Sequence, residues 1–334
     1  MQAAVFRGAG AWRFEDRPEP TVRADDDVVV DVEACGICGT DLQILNVPPG
    51  HPADVGVILG HEFIGRVAAV GARSNGLVPG QRVAVDPDPK CGVCRYCSAG
   101  RPANCENLKA IGIFRDGALA KRVVVPSGAA FPLSDGPTRE IAALIEPLAC
   151  VVNGVQKANP RPAESAVIFG AGAIGCLFLA VFRAAGVSPV VVVEPTEARR
   201  ATAKAVGADA VLSPDEFAAR HRELLPLGAD IVVDAVGTQF GSAVEHAALG
   251  GRIVLFGQNA NVRPPIHQYS ITERSLTVYG SYITSYTFPP AIRMVEQGIL
   301  NLAPMVSAVL PLDELGAGFD LLRSGAATKV VIVP

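Results

Sequence analysis

Ala166-Val167-Ile168-Phe169-Gly170-Ala171-Gly172-Ala173-Ile174-Gly175 decides the fold. Four apolar residues run into a G-x-G-x-x-G turn that opens a helical stretch. A buried strand that feeds a helix through such a turn points the free N–H groups of the helix start at whatever occupies the turn. The glycines have separate tasks: Gly170 permits the tight turn, Gly172 lets the backbone approach a pyrophosphate, and Gly175 lets the helix pack closely on the strand. Ala173 and Ile174 begin the helix between them. Such a turn can be merely structural, but Glu194 argues for a dinucleotide. It stands nineteen residues beyond Gly175, directly after the apolar run Val190–Val193. A carboxylate there accepts hydrogen bonds from an adenosine ribose and repels a 2′-phosphate, so NAD is expected over NADP. Arg199 and Arg200 follow closely, either as a solvated helix face with Arg199 on the adenine, or as partners for a phosphate.

The alternation continues outward. Strand-like runs at Val190–Val193, Ala210–Leu212, Ile231–Val233 and Ile253–Phe256 alternate with helical segments, one of which, Glu197–Val206, stops at Gly207. This predicts an α/β unit with a doubly wound parallel sheet. Val236 in Asp234-Ala235-Val236-Gly237, and Gly257 and Gln258 after Phe256, fall at strand ends where ligands bind in such sheets. Before the Asn159-Pro160-Arg161-Pro162 break the texture differs: short Val-rich runs at Val28–Val32, Val83–Val85 and Val123–Val125 among turn residues predict an irregular, mostly β domain. After about Gly280 the α/β pattern fades. A helix is expected over Phe288–Gly298 and a strand over Lys329–Val333, and the C-terminal segment is expected to return to the first domain. The predicted division is 1–153 with 286–334 for one domain and 154–285 for the other.

The 334 residues are 49% hydrophobic and 19% charged, with a formal charge of −4. That balance gives no basic surface for nucleic acid or an anionic membrane. The longest apolar run, Ala166 to Phe182, is glycine-punctuated and shorter than the ~20 residues a membrane helix needs. The N-terminal residues lack a charged-then-apolar leader pattern. No nucleic-acid partner, no membrane and a cytoplasmic location are expected.

Six of the eight cysteines fall in two clusters, Cys35 with Cys38 and Cys91 with Cys94, Cys97 and Cys105. Cys91-x2-Cys94-x2-Cys97-x7-Cys105 offers four thiolates, the ligand set of a closed structural zinc, in a lobe of about residues 88–108. Spacing alone leaves an iron–sulfur cluster open. Cys38, His61 and Glu62 form a mixed set suited to a zinc that keeps an open position, with Glu146 or Cys150 approaching from a third segment. Cys176, in an apolar helical stretch, reads as structural.

With these residues in view, the whole chain resembles a zinc-dependent member of the medium-chain dehydrogenase/reductase superfamily. The resemblance rests on Ile37-Cys38-Gly39-Thr40-Asp41, Gly60-His61-Glu62-x-x-Gly65, the four-cysteine lobe, Ile145-Glu146-Pro147-Leu148 and the glycine-rich turn. It implies a GroES-like, mostly β catalytic domain, a Rossmann domain, a cleft between them, and two zinc ions per subunit, one catalytic and one structural. Glu146 is similar to the glutamate of the polyol and threonine dehydrogenase branch, so Cys150 drops out and both Glu62 and Glu146 are nominated as ligands of the catalytic zinc. Asp41 resembles the carboxylate that orients the zinc-bound histidine. Tyr282 belongs with the cofactor candidates.

The implied chemistry is transfer of a hydride from a secondary alcohol to NAD, giving a ketone. Zinc would lower the hydroxyl pKa, and Thr40 would carry the proton away unless it merely caps the next helix. Two positions depart from relatives. Gln43 stands where a proton-accepting histidine is common, which turns attention to His51. Ile283 replaces an arginine of sorbitol dehydrogenases, which points away from sorbitol. The lobe resembles that of cyclitol and aminocyclitol dehydrogenases, and Gln43 and Phe114 would shape such a pocket. The expected substrate is a polyol, cyclitol, aminocyclitol or sugar derivative. The alternatives are a threonine-type dehydrogenase, with Arg115 receiving the carboxylate, and a noncatalytic zinc-ribbon scaffold or nucleic-acid binder. The resemblance also implies a homodimer or homotetramer, with the strand edge Leu276–Tyr282 pairing across subunits.

Overall fold

A computed structural model describes residues 1–334. Ala166–Phe169 is the first strand of a six-stranded sheet that continues with Val190–Val193, Ala210–Leu212, Ala229–Asp234, Ala247–Leu255 and Thr277–Gly280. Every neighbouring pair is parallel. Counted along the chain the strands lie in the order 3-2-1-4-5-6. This is the doubly wound order, whose reversal between Ala166–Phe169 and Ala229–Asp234 opens a crevice at the strand C-termini. The strands are apolar because helices cover both faces: all residues of Ala166–Phe169 and Val190–Val193 are buried.

Local chemistry ends and begins the helices. Gly207 closes the Glu197–Val206 helix at φ +122°, a region L side chains rarely adopt. Pro214–Leu224 starts with a reciprocal cap: the Ser213 hydroxyl accepts from the Glu216 N–H at 3.2 Å, and the Glu216 carboxylate accepts from the Ser213 N–H at 2.7 Å. Helix Ile145–Ala158 does not announce itself in the sequence, for a physical reason. Twelve of its fourteen residues are buried, so no polar face marks a period. It packs on both Ala173–Ala184 and Phe288–Glu296.

The second sheet is mainly antiparallel. Asp27–Gly36, Glu62–Val70, Arg82–Val85 and Ala130–Pro132 lie side by side, Arg122–Pro126 pairs with the first of these, and the C-terminal strands Val306–Pro311 and Lys329–Val333 complete it. Lys329–Val333 lies against Asp27–Gly36, so the two ends of the chain meet in one sheet. Gln2–Gly8 and Ala11–Asp16 form a hairpin beside it. The N-terminal and central regions are thus the GroES-like, mostly β and Rossmann-type parts of a mixed α/β protein. No helix is long and apolar enough to cross a membrane.

Residues 280–288 strap the two sheets together. Lys157 donates to the Gly280 carbonyl at 2.7 Å, and Asn153 Nδ2 donates to the carbonyls of Tyr282 and Ile283 at 3.1 and 2.8 Å. The Thr284 hydroxyl lies 3.0 Å from Asp86, and the Thr287 hydroxyl donates to the Ala149 carbonyl at 2.6 Å.

Phe178 fills the core between helix Ile145–Ala158 and the parallel sheet. Its ring meets Phe182 at 5.7 Å and Phe256 at 5.3 Å, and a Cβ at Gly154 would stand 2.7 Å from it. Phe178→Ala is expected to destabilise the protein by about 3–5 kcal/mol, measured by denaturant unfolding.

Candidate active site

The metal-ligand candidates converge through one short helix. Cys38 is the N-cap of Gly39–Ile44: its Sγ accepts from the Thr40 N–H at 3.4 Å, while its own N–H donates to Asp41 Oδ2 at 2.9 Å. The cap is therefore Cys38, and the Thr40 hydroxyl is left for the cleft, which Thr40 lines. The other Asp41 oxygen, Oδ1, stands 3.5 Å from His61 Nδ1. Both atoms are buried, and neither has a hydrogen-bond partner.

The Cys38 thiol, a His61 nitrogen and a Glu62 oxygen all lie within 4.8 Å of one another. These residues fit a metal. A ligating histidine donates its second N–H to a carboxylate, and Asp41 waits where that donor would point. Burial, with the Asp41 charge, pushes the Cys38 thiol up to about 11, a cost that a cation beside the sulfur would reverse. Glu146 lines the same cleft but stands outside the mutually close set. Its carboxyl is pushed up to about 7, chiefly by burial, and it accepts from the Cys150 thiol at 3.5 Å.

Sequence reading missed the residue that holds Glu62. Lys329, at the head of the final strand and fully buried, forms an ion pair with Glu62 Oε2 and donates to the Ile37 carbonyl at 3.1 Å. Gly36 makes room for the pair, since a Cβ there would lie 2.5 Å from Glu62 Oε2. A lysine at the head of an apolar strand carries no local signal of this role.

The four-cysteine lobe gathers its thiols within 4.8 Å of one another, and all eight cysteines are free. The Asn107 side chain and backbone N–H groups at Val93 and Cys94 hold the Cys91 thiol down, whereas burial pushes the Cys97 thiol up. A tetrahedral zinc needs all four as thiolates, and its charge would lower Cys97 in turn. Cys35 and Cys176 are buried outside both mutually close sets, with Cys176 Sγ 3.4 Å from the Ala171 carbonyl.

The glycine-rich turn has the demanded geometry. Gly170 adopts φ +97°, and a Cβ at Gly175 would stand 1.8 Å from the Gly170 carbonyl oxygen, whereas a Cβ at Gly172 would meet nothing within 4 Å. Glu194 is buried beneath the turn. Its Oε2 accepts from the Ala171 N–H at 2.8 Å and its Oε1 from the Thr196 N–H at 2.9 Å. Arg199 donates to the Leu322 carbonyl, and Arg200 to the carbonyls of Glu194 and Pro195. Asp234 shapes the neighbouring loop by accepting from the N–H groups of Val236, Gly237 and Gln239.

A cleft of about 250 Å³ joins the two halves. Cys38, Thr40, His61, Glu62, Phe114 and Glu146 line one side, and Ile174, Val236, Gly257, Gln258 and Tyr282 the other. Gln43 crosses it, donating to the Gln258 carbonyl at 3.0 Å. His51 also lines it, with Nδ1 2.8 Å from the Pro52 carbonyl, which makes Nδ1 the protonated nitrogen and leaves Nε2 as an acceptor. Arg115 is exposed and outside the cleft.

Comparison with known proteins agrees with this architecture. The alcohol dehydrogenase GroES-like domain matches residues 24–135, and the zinc-binding dehydrogenase domain matches residues 173–297. The chain is 34% identical to D-altritol 5-dehydrogenase of Agrobacterium fabrum, with 91% of this chain and 90% of that one covered. It is 31% identical to D-xylulose reductase A of Aspergillus oryzae, covering 98% and 95%. A crystal structure from Sinorhizobium meliloti 1021, provisionally described as a zinc-binding dehydrogenase and bound to NADP, superposes with a TM-score of 0.91 at 33% identity, covering 100% and 99%. The chain belongs to the zinc-dependent medium-chain dehydrogenase/reductase superfamily. Within it the chain falls in the polyol dehydrogenase branch, and it is an enzyme of the alcohol or polyol dehydrogenase kind.

If the lobe holds a structural zinc, Cys97→Ser lowers bound zinc by one ion per chain and leaves dinucleotide binding in place, measured by elemental analysis and by fluorescence titration with NADH.

Proposed function

We propose that the cleft oxidises a secondary alcohol of a polyol, cyclitol, aminocyclitol or sugar derivative to a ketone, with NAD as the hydride acceptor. The observation that carries this reading is a single cleft faced by the Cys38–His61–Glu62 set on one side and by the end of the parallel sheet, with its glycine-rich turn, on the other. Bound there, zinc supplies Lewis acidity that lowers a hydroxyl pKa, and a nicotinamide supplies the hydride acceptor.

The chain's own residues do the rest. Cys38, His61 and Glu62 hold the metal, with Glu146 as a further ligand or a carboxylate beside it, and Asp41 keeps His61 in the tautomer that presents Nε2. Gly170, Gly172, Ala173, Ile174 and Gly175 present the turn to the pyrophosphate. Glu194 beneath the turn disfavours a 2′-phosphate, which favours NAD over NADP. Val236, Gly257, Gln258 and Tyr282 shape the nicotinamide side, and Gln43 and Phe114 the substrate side. Residues 1–153 and 286–334 form the catalytic domain around 154–285. The lobe holds a second, structural zinc. A cytoplasmic homodimer or homotetramer, built on the strand edge Leu276–Tyr282, completes the proposal.

The threonine-type alternative loses its cation, because Arg115 does not reach the cleft and no Lys or Arg lines it. The scaffold alternative leaves the buried Asp41–His61 arrangement without a use.

NADH formation tests the reading, with NAD and NADP run in parallel against polyols, cyclitols, sugars, simple secondary alcohols and L-threonine. Activity with a polyhydroxy alcohol and NAD, lost on chelation and restored by zinc, is expected. Absence of nicotinamide binding would sink the proposal.

The proton leaves from the Thr40 hydroxyl by way of water in the cleft, with His51, which lines the same cleft, as the terminal base. Burial pushes the His51 ring below its usual 6.5, so it is a neutral acceptor at pH 7. Oxidation should weaken as pH falls through that lowered value and the ring gains its proton. His51→Ala is expected to cut turnover roughly tenfold and to remove this acidic limb. An unchanged pH profile would exclude His51 from the relay.

A further inference from the structure

Asp88 belongs to none of the groups assigned so far. It opens the four-cysteine lobe just after Arg82–Val85, is 5% exposed, and lines the same cleft as Cys38, His61 and Glu146. Its backbone is fully engaged: its N–H donates to Asp86 Oδ1 at 3.0 Å, and its carbonyl accepts from Lys90 Nζ. Its carboxylate receives no hydrogen bond and makes no salt bridge within the protein. The nearest cation, Lys90, is committed elsewhere, to that carbonyl, to the Thr284 hydroxyl at 3.1 Å and to Asp86 at 3.5 Å. No protein group donates to it, and its oxygens are not sealed from solvent, so a donor in the cleft, water or a ligand, can satisfy it.

The rest of the lining sharpens the chemistry. Glu62 and Glu146 are the other carboxylates, His51 and His61 the only titratable nitrogen groups, and no Lys or Arg lines the cleft. A phosphate or carboxylate on the substrate would find no cationic partner away from the metal and would be repelled by Asp88.

We propose that Asp88 recognises the substrate by accepting a hydrogen bond from a second hydroxyl or an ammonium group on the alcohol, and that the natural substrate carries no phosphate or carboxylate. This rests on the dehydrogenase reading above and narrows it to neutral or cationic polyols, aminopolyols included. Asp88 positions the alcohol and takes no proton. A burial-raised carboxyl pKa of about 6 agrees with an acceptor lacking a partner in the free protein.

Matched probes test it on the zinc- and NAD-loaded enzyme: xylitol, 1-amino-1-deoxyxylitol, xylitol 5-phosphate, and 2-butanol, which lacks a second donor. Binding is read by thermal shift and turnover by NADH formation. The neutral and amino probes are expected to bind at least tenfold more tightly than the phosphate. In Asp88→Ala the ratio of kcat/KM for xylitol over 2-butanol is expected to fall about 10- to 100-fold, mainly through KM. Asp88→Asn, which keeps an acceptor oxygen without the charge, should restore most of the xylitol ratio while losing any preference for the amine over the polyol. Phosphate binding as tight as that of xylitol, no binding of either uncharged or amino probe, or equal losses on xylitol and 2-butanol in Asp88→Ala would each overturn the assignment. Failure of the wild type to bind NAD, or to oxidise any alcohol including 2-butanol, would instead overturn the proposed function.

Discussion

Asp41 is the carboxylate on which the site depends. One oxygen closes the N-cap of the Gly39–Ile44 helix by accepting from the Cys38 N–H, and the other faces His61 Nδ1 across 3.5 Å. A single buried side chain thus faces both the backbone that aims the Cys38 sulfur and the imidazole, although the two candidate ligands come from segments more than twenty residues apart. The carboxylate is tolerated in the interior because one oxygen is hydrogen-bonded and the other has a waiting donor.

The third member of the set is held by a different device. Glu62 is paired with Lys329 in the last strand, in the space that Gly36 leaves open. Both charges are buried, and such a pair persists only where each partner is satisfied, so losing either would strand the other. The C-terminal strand thus reaches the candidate metal-binding set through one lysine. Across the cleft, Glu194 plays the comparable part, accepting from the Ala171 N–H of the glycine-rich turn with one oxygen and from the Thr196 N–H at the start of the next helix with the other.

Much was legible in the chain itself. The glycine-rich turn, the carboxylate after the second strand and the cysteine spacings carry information over short distances, because backbone approach and tetrahedral ligation each demand particular residues close together in sequence. The alternation of valine-rich and alanine-rich segments gave the parallel sheet for the same reason: strands buried on both faces have no polar positions. Helix Ile145–Ala158 left no such trace, being buried nearly all round. The Ser213–Glu216 cap was readable as a short motif and would have located the Pro214–Leu224 helix.

What the sequence determined by itself was local: which residues can ligate, which turns can cradle a phosphate, and which segments must be covered. The tertiary structure decided which of them share a space. It brought Lys329 to Glu62 and Asp88 into the cleft, carried Gln43 across to Gln258, and left Arg115 outside. Those outcomes depend on contacts between residues as many as 267 positions apart. No periodicity or spacing encodes such contacts, because burial of a charged side chain is set by the packing of both sheets together.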